Sequence, residues 1–136
     1  MARRVLLETS VLVAFERGVL RPQDAVQRGD SLAVSAITAA ELLVAAELAP
    51  AERAEAKRRE IDDVLALHDI VDYDLSVARV HALLMAQVRR DGQPRGALDL
   101  AIAATAVASR RVLITTDSKA KFTDLPGLDV EVVGTT

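Results

Sequence analysis

Short apolar runs alternate along the chain with longer segments in which apolar residues recur every three to four positions. The short runs have the length and flanking charge typical of buried strands, and they lie at 5–7, 31–35, 70–71, 112–115 and 130–133. The longer segments have helical periodicity, and they lie at 11–17, 38–48, 51–67, 75–90 and 98–109. Thr9 and Ser10 precede the first of these helices as its expected cap residues. Because strands alternate with helices, the pattern predicts an α/β domain with a short, mostly parallel sheet flanked by helices.

The composition limits the number of domains and the kinds of functional site that the chain can form. The chain has 136 residues, 51% of them hydrophobic, which suits a single domain over 1–136 with a full apolar core. Aromatic residues make up only 2%, so there is little material for stacking bases on aromatic platforms. Cysteine is missing from the sequence, which excludes disulfides, zinc–thiolate sites and thiol catalysis.

The charge pattern limits the partners and the location. A net charge of −3 is not the footprint of a general phosphate-backbone binder, so a polyanionic substrate would need bound cations or local arginine clusters. Every apolar stretch of about 18 residues is interrupted by charge, which predicts no membrane span. The apolar run before Glu8 is too short for a secretory signal, so we expect a cytoplasmic protein with no membrane partner.

Four carboxylates lie just after predicted strands or at the start of predicted helices. Glu8 directly follows the first strand, and Asp117 lies two residues after the fourth. Glu41 falls in the first turn of the helix after the second strand, and Asp99 lies at the start of the apolar helix 98–109. Ligands of open parallel sheets bind beyond the carboxyl ends of the strands, so we expect these acids to converge there.

Taken singly, most of these acids have a structural explanation. Glu41 could close a capping box with Thr38. Asp99 could be stabilised by a helix dipole and Asp117 suits a turn, whereas Glu8 is not a usual cap or turn residue. As a group they are harder to explain, because two like charges about 5 Å apart repel by about 3 kcal/mol at an effective dielectric near 20. A shared divalent cation such as Mg²⁺, which takes oxygen ligands, would remove that repulsion.

A metal centre of this kind points to phosphoryl chemistry. Divalent cations activate water and stabilise a leaving oxygen, so no Ser, Cys or His nucleophile is needed. The two histidines, His68 and His81, lie in or beside predicted helices, and we expect both to be structural.

Three stretches, in this order and spacing, resemble the PIN-domain ribonucleases and more narrowly the VapC-type toxins of bacterial toxin–antitoxin pairs. They are VLLETSVLVAFERG at 5–18, AVSAITAAELLVA at 33–45, and ALDLAIAATAVASRRVLITTD at 97–117 followed by FTDLPGLDV. Each motif alone is weak, but together they cover essentially the whole chain. The resemblance implies a single PIN-like three-layer domain over 1–136.

The resemblance also implies an activity and a set of partners. It implies an endoribonuclease dependent on Mg²⁺ or Mn²⁺ that hydrolyses structured RNA, such as a transfer or ribosomal RNA, and so inhibits translation. It implies a homodimer and a cognate antitoxin whose C-terminal segment occupies the active-site groove. Matched residue by residue, the family's catalytic, metal-binding acids fall on Glu8, Glu41, Asp99 and Asp117. Hydroxyls that would support these acids fall on Ser10 and Thr115.

The first acid departs from the family pattern, in which Asp is usual. Glu is longer by one methylene, so its carboxylate can sit roughly 1 Å away from the expected place. A misplacement of about 1 Å can cost around 10²-fold in rate, which predicts an attenuated enzyme that Glu8→Asp would accelerate. The alternative is a site built around the longer acid.

The helix 38–48 is the candidate surface for the antitoxin. Its Leu42, Leu43, Ala45 and Ala46, beside a second Ala-rich helix, would let an apolar segment with an arginine lie close to the acids. The alternative is that these residues belong only to the core.

Two other functions compete with the nuclease. A phosphorelay receiver domain also binds Mg²⁺ at acids on an α/β sheet, but it needs paired acids after the first strand, where Glu8 is alone. A non-catalytic PIN-like binding module is the main alternative, since the Glu8 departure leaves it open.

Overall fold

The strand Arg4–Leu7 (β1) is the centre of a parallel sheet in the computed structural model, which describes residues 2–117, 122 and 124–134. Within these residues the sheet has the strand order β3-β2-β1-β4-β5, and every neighbouring pair is parallel. The other strands are Ser31–Ser35 (β2), Asp69–Val71 (β3), Val112–Thr115 (β4) and Val130–Val132 (β5). The mostly parallel sheet expected from the sequence is confirmed.

Helices connect the strands and cover both faces of the sheet. They are Thr9–Glu16 (α1), Pro22–Ala25 (α2), Ala36–Glu47 (α3), Ala51–Ala66 (α4), Leu75–Arg90 (α5) and Ala97–Ala108 (α6). The α/β class and the flanking helices are therefore as predicted. No helix in the described ranges combines the length and the apolar character that crossing a membrane requires.

The core has two layers because successive strand residues point to opposite faces. Val5 and Leu7 of β1 pack with α1, α3 and α4, whereas Leu6 between them packs with α5 and α6. All three side chains are fully buried. A strand buried on both faces is written as a continuous apolar run, which is how β1 and β4 appear in the sequence.

The start of α3 differs from the sequence prediction. Helix α3 begins at Ala36 rather than Thr38, because the Ser35 side chain caps it and its Oγ accepts the Thr38 amide at 2.9 Å. The capping box between Thr38 and Glu41 is therefore wrong, and Glu41 lies in the second turn. Its carboxylate is left available for contacts outside its own helix.

The edge of the sheet opposite the carboxyl ends is held by arginines. Arg3 binds Asp30 with an Nη2–Oδ2 distance of 2.7 Å and Glu131 with an Nη1–Oε2 distance of 2.6 Å. Buried Arg111 donates to the backbone oxygens of Val5 and Ser31. These contacts join β1, β2 and β5 and the residue that precedes β4.

Candidate functional site

One cavity at the carboxyl edge of the sheet collects three of the four predicted acids. Its volume is about 460 Å³, and the acids on its wall are Glu8, Glu41 and Asp99. They come from the end of β1, from α3 and from α6. Among the described residues, its wall is completed by Thr9, Ser10, Val13, Ala14, Arg17, Val19 and Thr116.

Asp117 stands apart from that wall. It lies two residues beyond β4, is half-buried, and does not line the cavity, although its neighbour Thr116 does. Its backbone amide donates to Thr115 Oγ1 at 3.1 Å. The structure thus brings three of the predicted acids together and places the fourth beside them.

Glu8 is the N-cap of α1, a position for which the sequence favoured the hydroxyl residues Thr9 and Ser10. Its Oε2 accepts the Ser10 amide at 3.0 Å, and its Oε1 accepts Ser10 Oγ at 2.6 Å. A second hydroxyl reaches it from β4, with Thr115 Oγ1 donating to Oε1 at 2.7 Å. Only 7% of Glu8 is exposed. The carboxylate is tolerated in this buried place because it accepts three hydrogen bonds.

The hydroxyls of Ser10 and Thr115, predicted to support the acids, both contact Glu8 and continue toward Asp117. Ser10 Oγ accepts the Thr116 amide at 3.1 Å, and Thr115 Oγ1 accepts the Asp117 amide at 3.1 Å. Each hydroxyl therefore donates to the acid and accepts from the backbone that follows β4.

Glu41 is held across the cavity by a residue that sequence reasoning missed. Thr9 Oγ1 donates to Glu41 Oε1 at 2.6 Å, and it also lies 3.0 Å from Thr38 Oγ1. The contact ties the first turn of α1 to α3. The available signal was the hydroxyl of Thr9 immediately after Glu8, a residue that the sequence favoured only as a helix cap.

Asp99 is the third residue of α6 and lies against the glycine that precedes the helix. A Cβ atom placed on Gly96 would lie 3.3 Å from Asp99 Oδ2 and 3.8 Å from its Cγ. Gly96 has φ −60° and ψ 138°, a conformation open to any residue, so it is the contact and not the backbone that favours glycine here. Gly96 is the second site residue that the sequence did not reveal.

The donor set fits a hard divalent cation. Carboxylate and hydroxyl oxygens line the cavity, and these are the ligands that Mg²⁺ and Mn²⁺ prefer. In the described ranges, however, no three carboxylate or imidazole groups lie close enough to one another to hold one ion together. Mg²⁺ is commonly bound through one or two carboxylates with water completing its shell, so a pair of these acids is sufficient.

The histidines lie elsewhere, as expected of structural residues. His68 Nδ1 lies 2.8 Å from the Val64 carbonyl oxygen, and His81 Nδ1 lies 2.8 Å from the Tyr73 hydroxyl. Neither lines the acidic cavity.

A groove extends from the acidic cavity along α3 and α4. A second cavity of about 180 Å³ shares Thr9, Arg17 and Glu41 with the acidic one. A third, of about 410 Å³, shares Ala45 and Lys57 with the second. We call this continuous surface the α3–α4 groove. Of the four α3 residues proposed for a partner, Ala45 is exposed and lines the groove, and Leu42 also lines it although it belongs to the core. Ala46 is buried in the core and Leu43 is half-buried.

Comparisons with known proteins agree on one family. The family model of the PIN domain matches residues 5–127. The chain is 30% identical over 100 residues to the tRNA(fMet)-specific endonuclease VapC of Shigella flexneri, and the match covers 74% of each protein.

Solved structures share the fold over nearly the whole chain. VapBC2 from Rickettsia felis, bound to a DNA fragment from its promoter, matches with a TM-score of 0.78 and 22% identity, covering 95% of this chain and 98% of that one. VapBC-5 from Mycobacterium tuberculosis, a member of the VapBC family of toxin–antitoxin systems, matches with a TM-score of 0.72 and 26% identity, covering 96% and 98%.

Proposed function

The chain belongs to the PIN-domain family, as the VapC type, and we propose that it is a metal-dependent endoribonuclease acting as the toxin of a toxin–antitoxin pair. The observation that carries the proposal is the single cavity walled by Glu8, Glu41 and Asp99 at the carboxyl edge of the sheet. Three separate elements each place one acid on the wall of this cavity. Glu8 is buried and the other two acids are half-buried, and acids in such a shared cleft are more readily explained by cation binding than by a contribution to the stability of the fold.

The proposed substrate is a structured RNA. The relative from Shigella flexneri is by its name specific for a transfer RNA, which makes transfer RNA the first substrate to test. Arg17 on the cavity wall could meet a phosphate beside the acids, and bound cations would offset the net charge of −3. Cutting such an RNA would inhibit translation and would place the protein in the cytoplasm with its substrate.

Glu41 and Asp99 are the residues that we propose to hold Mg²⁺ or Mn²⁺, with Glu8 beside them and Asp117 at the rim. Bound there, the cation would neutralise phosphate charge and lower the pKa of water. The chain's own part is to hold these acids in place. Thr9 fixes Glu41 through the 2.6 Å contact, and Gly96 leaves room for Asp99. The Thr9 hydroxyl holds Glu41 in place without adding positive charge to the cavity.

The test of this function is Asp99→Asn, with exposed Asp62→Asn on α4 as the matched control. We expect the parent and the control to cut transfer RNA in Mn²⁺, and Mn²⁺ at 100 times its Kd to stabilise both by about 2.7 kcal/mol. The Asp99 variant should fold, lose cleavage, and lose most of the stabilisation by Mn²⁺. Full cleavage by Asp99→Asn would disprove the assignment. Mn²⁺ binding without cleavage in the parent would favour a non-catalytic PIN-like module.

We propose that the cognate antitoxin occupies the α3–α4 groove. The supporting observation is that the groove is continuous with the acidic cavity and is lined by the small side chains of Ala45, Ala49 and Ala56. A helical or extended segment with an apolar stripe and an arginine would fit, the arginine reaching the acids.

Filling the groove tests the antitoxin proposal. Ala45→Trp should reduce capture of the small protein encoded beside this chain by at least about tenfold in co-expression and pull-down. Ala82→Trp, on an exposed position of α5 outside the groove, should not. Equal capture by both variants would place the partner elsewhere.

Two further properties stay predictions. A homodimer is expected from the family resemblance, and sedimentation of the purified protein would test it. A single domain over 1–136 is supported by the family match over 5–127, and limited proteolysis would reveal a second unit if one existed.

A further inference from the structure

We infer that Glu8 is a positioning residue, which orders the segment from Thr115 to Asp117 and leaves a cation at most one oxygen lone pair. The inference rests on the proposed metal-dependent function and concerns how its acids divide the work. The resemblance to the family implies that Glu8 binds the metal directly. The contacts of Glu8 in the structure favour a different role, the positioning of neighbouring groups.

The first argument is a count of acceptor sites. An ionised carboxylate has about four lone pairs, two on each oxygen. Oε1 accepts hydrogen bonds from both Ser10 Oγ and Thr115 Oγ1, and Oε2 accepts one from the Ser10 amide. Three of the four sites are therefore used by donors of the chain itself. Counted over the described residues, a single site on Oε2 remains, enough for one monodentate contact.

The second argument is the direction of the two hydroxyls. A hydroxyl has one proton, and in both residues that proton points at Glu8 Oε1. Donating the proton in a fixed direction also fixes the lone pairs of the oxygen. Those lone pairs accept the Thr116 and Asp117 amides at 3.1 Å each. The carboxylate thus determines, through two hydroxyls, where the backbone after β4 lies.

The third argument concerns length. An Asp at this position would have one methylene less, which would draw its carboxylate back by roughly 1 Å from the hydroxyl of Thr115. The present distance of 2.7 Å would then exceed the range of a hydrogen bond unless the strand ends moved together. The contacts therefore favour a site built around the longer acid, one of the two alternatives that the sequence left open, over an attenuated one.

Three variants separate positioning from metal binding. Glu8→Gln keeps the length and removes the charge, Glu8→Asp keeps the charge and shortens the reach, and Glu41→Gln is the comparison for a proposed ligand. The measurements are Mn²⁺ titration by calorimetry, amide hydrogen exchange at Thr116 and Asp117, and cleavage of transfer RNA.

We expect Glu8→Gln to bind Mn²⁺ within about threefold of the parent, whereas Glu41→Gln weakens binding by more than about tenfold. Glu8→Asp should speed exchange of the Thr116 and Asp117 amides by about tenfold, as the loss of one hydrogen bond to a charged group would, and should not increase cleavage. If Glu8→Gln weakens Mn²⁺ binding as much as Glu41→Gln does, Glu8 is a ligand and the inference fails. If Glu8→Asp cuts faster with unchanged exchange, the attenuation prediction holds instead.

Failure of the proposed metal function and failure of the positioning role give different results in these experiments. Mn²⁺ binding that is unaffected by both Glu41→Gln and Asp99→Asn would remove the proposed metal function, while the exchange measurement would still decide the positioning role. Should the Glu8 variants fail to fold, Thr115→Val and Thr115→Ser take their place. The Val variant should speed exchange at Asp117 and the Ser variant should not. Equal exchange in both Thr115 variants would refute the proposal that the Thr115 hydroxyl links Glu8 to the Asp117 amide.

Discussion

Gly96→Ala places a methyl group against the carboxylate of Asp99 without straining the backbone. The new Cβ would lie 3.3 Å from Asp99 Oδ2, closer than an ordinary van der Waals contact, so the carboxylate must move by a few tenths of an ångström. Because φ is −60° and ψ is 138° at Gly96, alanine adopts this conformation readily. The steric part of the perturbation therefore falls on Asp99, the acid that we propose as a metal ligand.

The size of the effect follows from the displacement. If a misplacement of about 1 Å costs around 10²-fold in rate, one of about 0.3 Å costs roughly fourfold. The same substitution also acts on the helix, because Gly96 is the N-cap of α6 and alanine is a poor cap. That second effect should lower the free energy of unfolding by about 0.5–1 kcal/mol.

Two further variants separate these effects. Gly96→Ser carries the same Cβ but is a good N-cap, so it should restore stability without restoring Mn²⁺ affinity or the rate. Gly134→Ala is the matched control, since no atom in the described part of the chain lies within 4 Å of a Cβ at that glycine. Mn²⁺ titration, single-turnover cleavage of transfer RNA and thermal unfolding would be measured on all four proteins.

The decisive comparison is between the Ser and Ala variants at position 96. Should Gly96→Ser regain both stability and metal affinity, the loss came from capping and not from pressure on Asp99. If neither variant differs from the control in Mn²⁺ affinity, Asp99 does not need its present position and our assignment of it as a ligand is wrong.

Three other substitutions test contacts around the site and the fold. Thr9→Val should lower the free energy of unfolding by about 1–2 kcal/mol and weaken Mn²⁺ binding, because Glu41 loses a donor at 2.6 Å. Thr9→Ser keeps the hydroxyl and should leave both quantities unchanged. Identical Mn²⁺ titrations of the Val and Ser variants would contradict this prediction. The hydrogen bonds of Arg3 lower the pKa of Asp30, so its ionised form stabilises the fold above the unfolded pKa near 4, and this stabilisation is lost as pH falls through the lower folded-state value. Urea midpoints between pH 5 and 2 should thus fall more steeply for the parent than for Asp30→Asn; parallel curves would disprove the linkage. Arg110 follows α6 with φ 56°, a left-handed conformation that glycine adopts freely, so Arg110→Gly should raise Tm by a few degrees, and a lower Tm would refute this.

Much of the fold could be predicted because its hydrophobic pattern is simple. The bounds of β2, β4 and α5 match the sequence prediction at both ends. The two strands are short apolar runs, and α5 has apolar residues at helical spacing and ends before Gly92 and Pro94. Helix α2 was missed because Pro22–Ala25 is a single turn, too short to show a helical period. The ends of α1 and α3 were misplaced because the capping rules weigh local residue types, and Ser35 at a strand end was not recognised as a cap.

The candidate site could be predicted only in part. The location of the site at the carboxyl edge was predictable, because the order of residues along the chain already places Glu8 after β1 and Asp117 after β4. The capping role of Glu8 was not predictable, because a long acid is by itself a poor helix cap. Here the hydroxyl of Thr115, on another strand, helps to hold the carboxylate in the capping position. The contribution of Gly96 was equally hidden, since it depends on the side-chain direction of Asp99.

The described contacts of the acids suggest why hydroxyls surround them. Glu8 and Glu41 are oriented by Ser10, Thr115 and Thr9, and each of these donors is neutral. A lysine or arginine in the same place would fix a carboxylate equally well but would cancel its charge, which a cation needs. A hydroxyl fixes the direction and leaves the charge in place, at the cost of mutual repulsion between the acids in the metal-free protein. Orientation without neutralisation is therefore what a cation site requires of its neighbours, and the sequence Glu-Thr-Ser at the start of α1 supplies it to two acids at once.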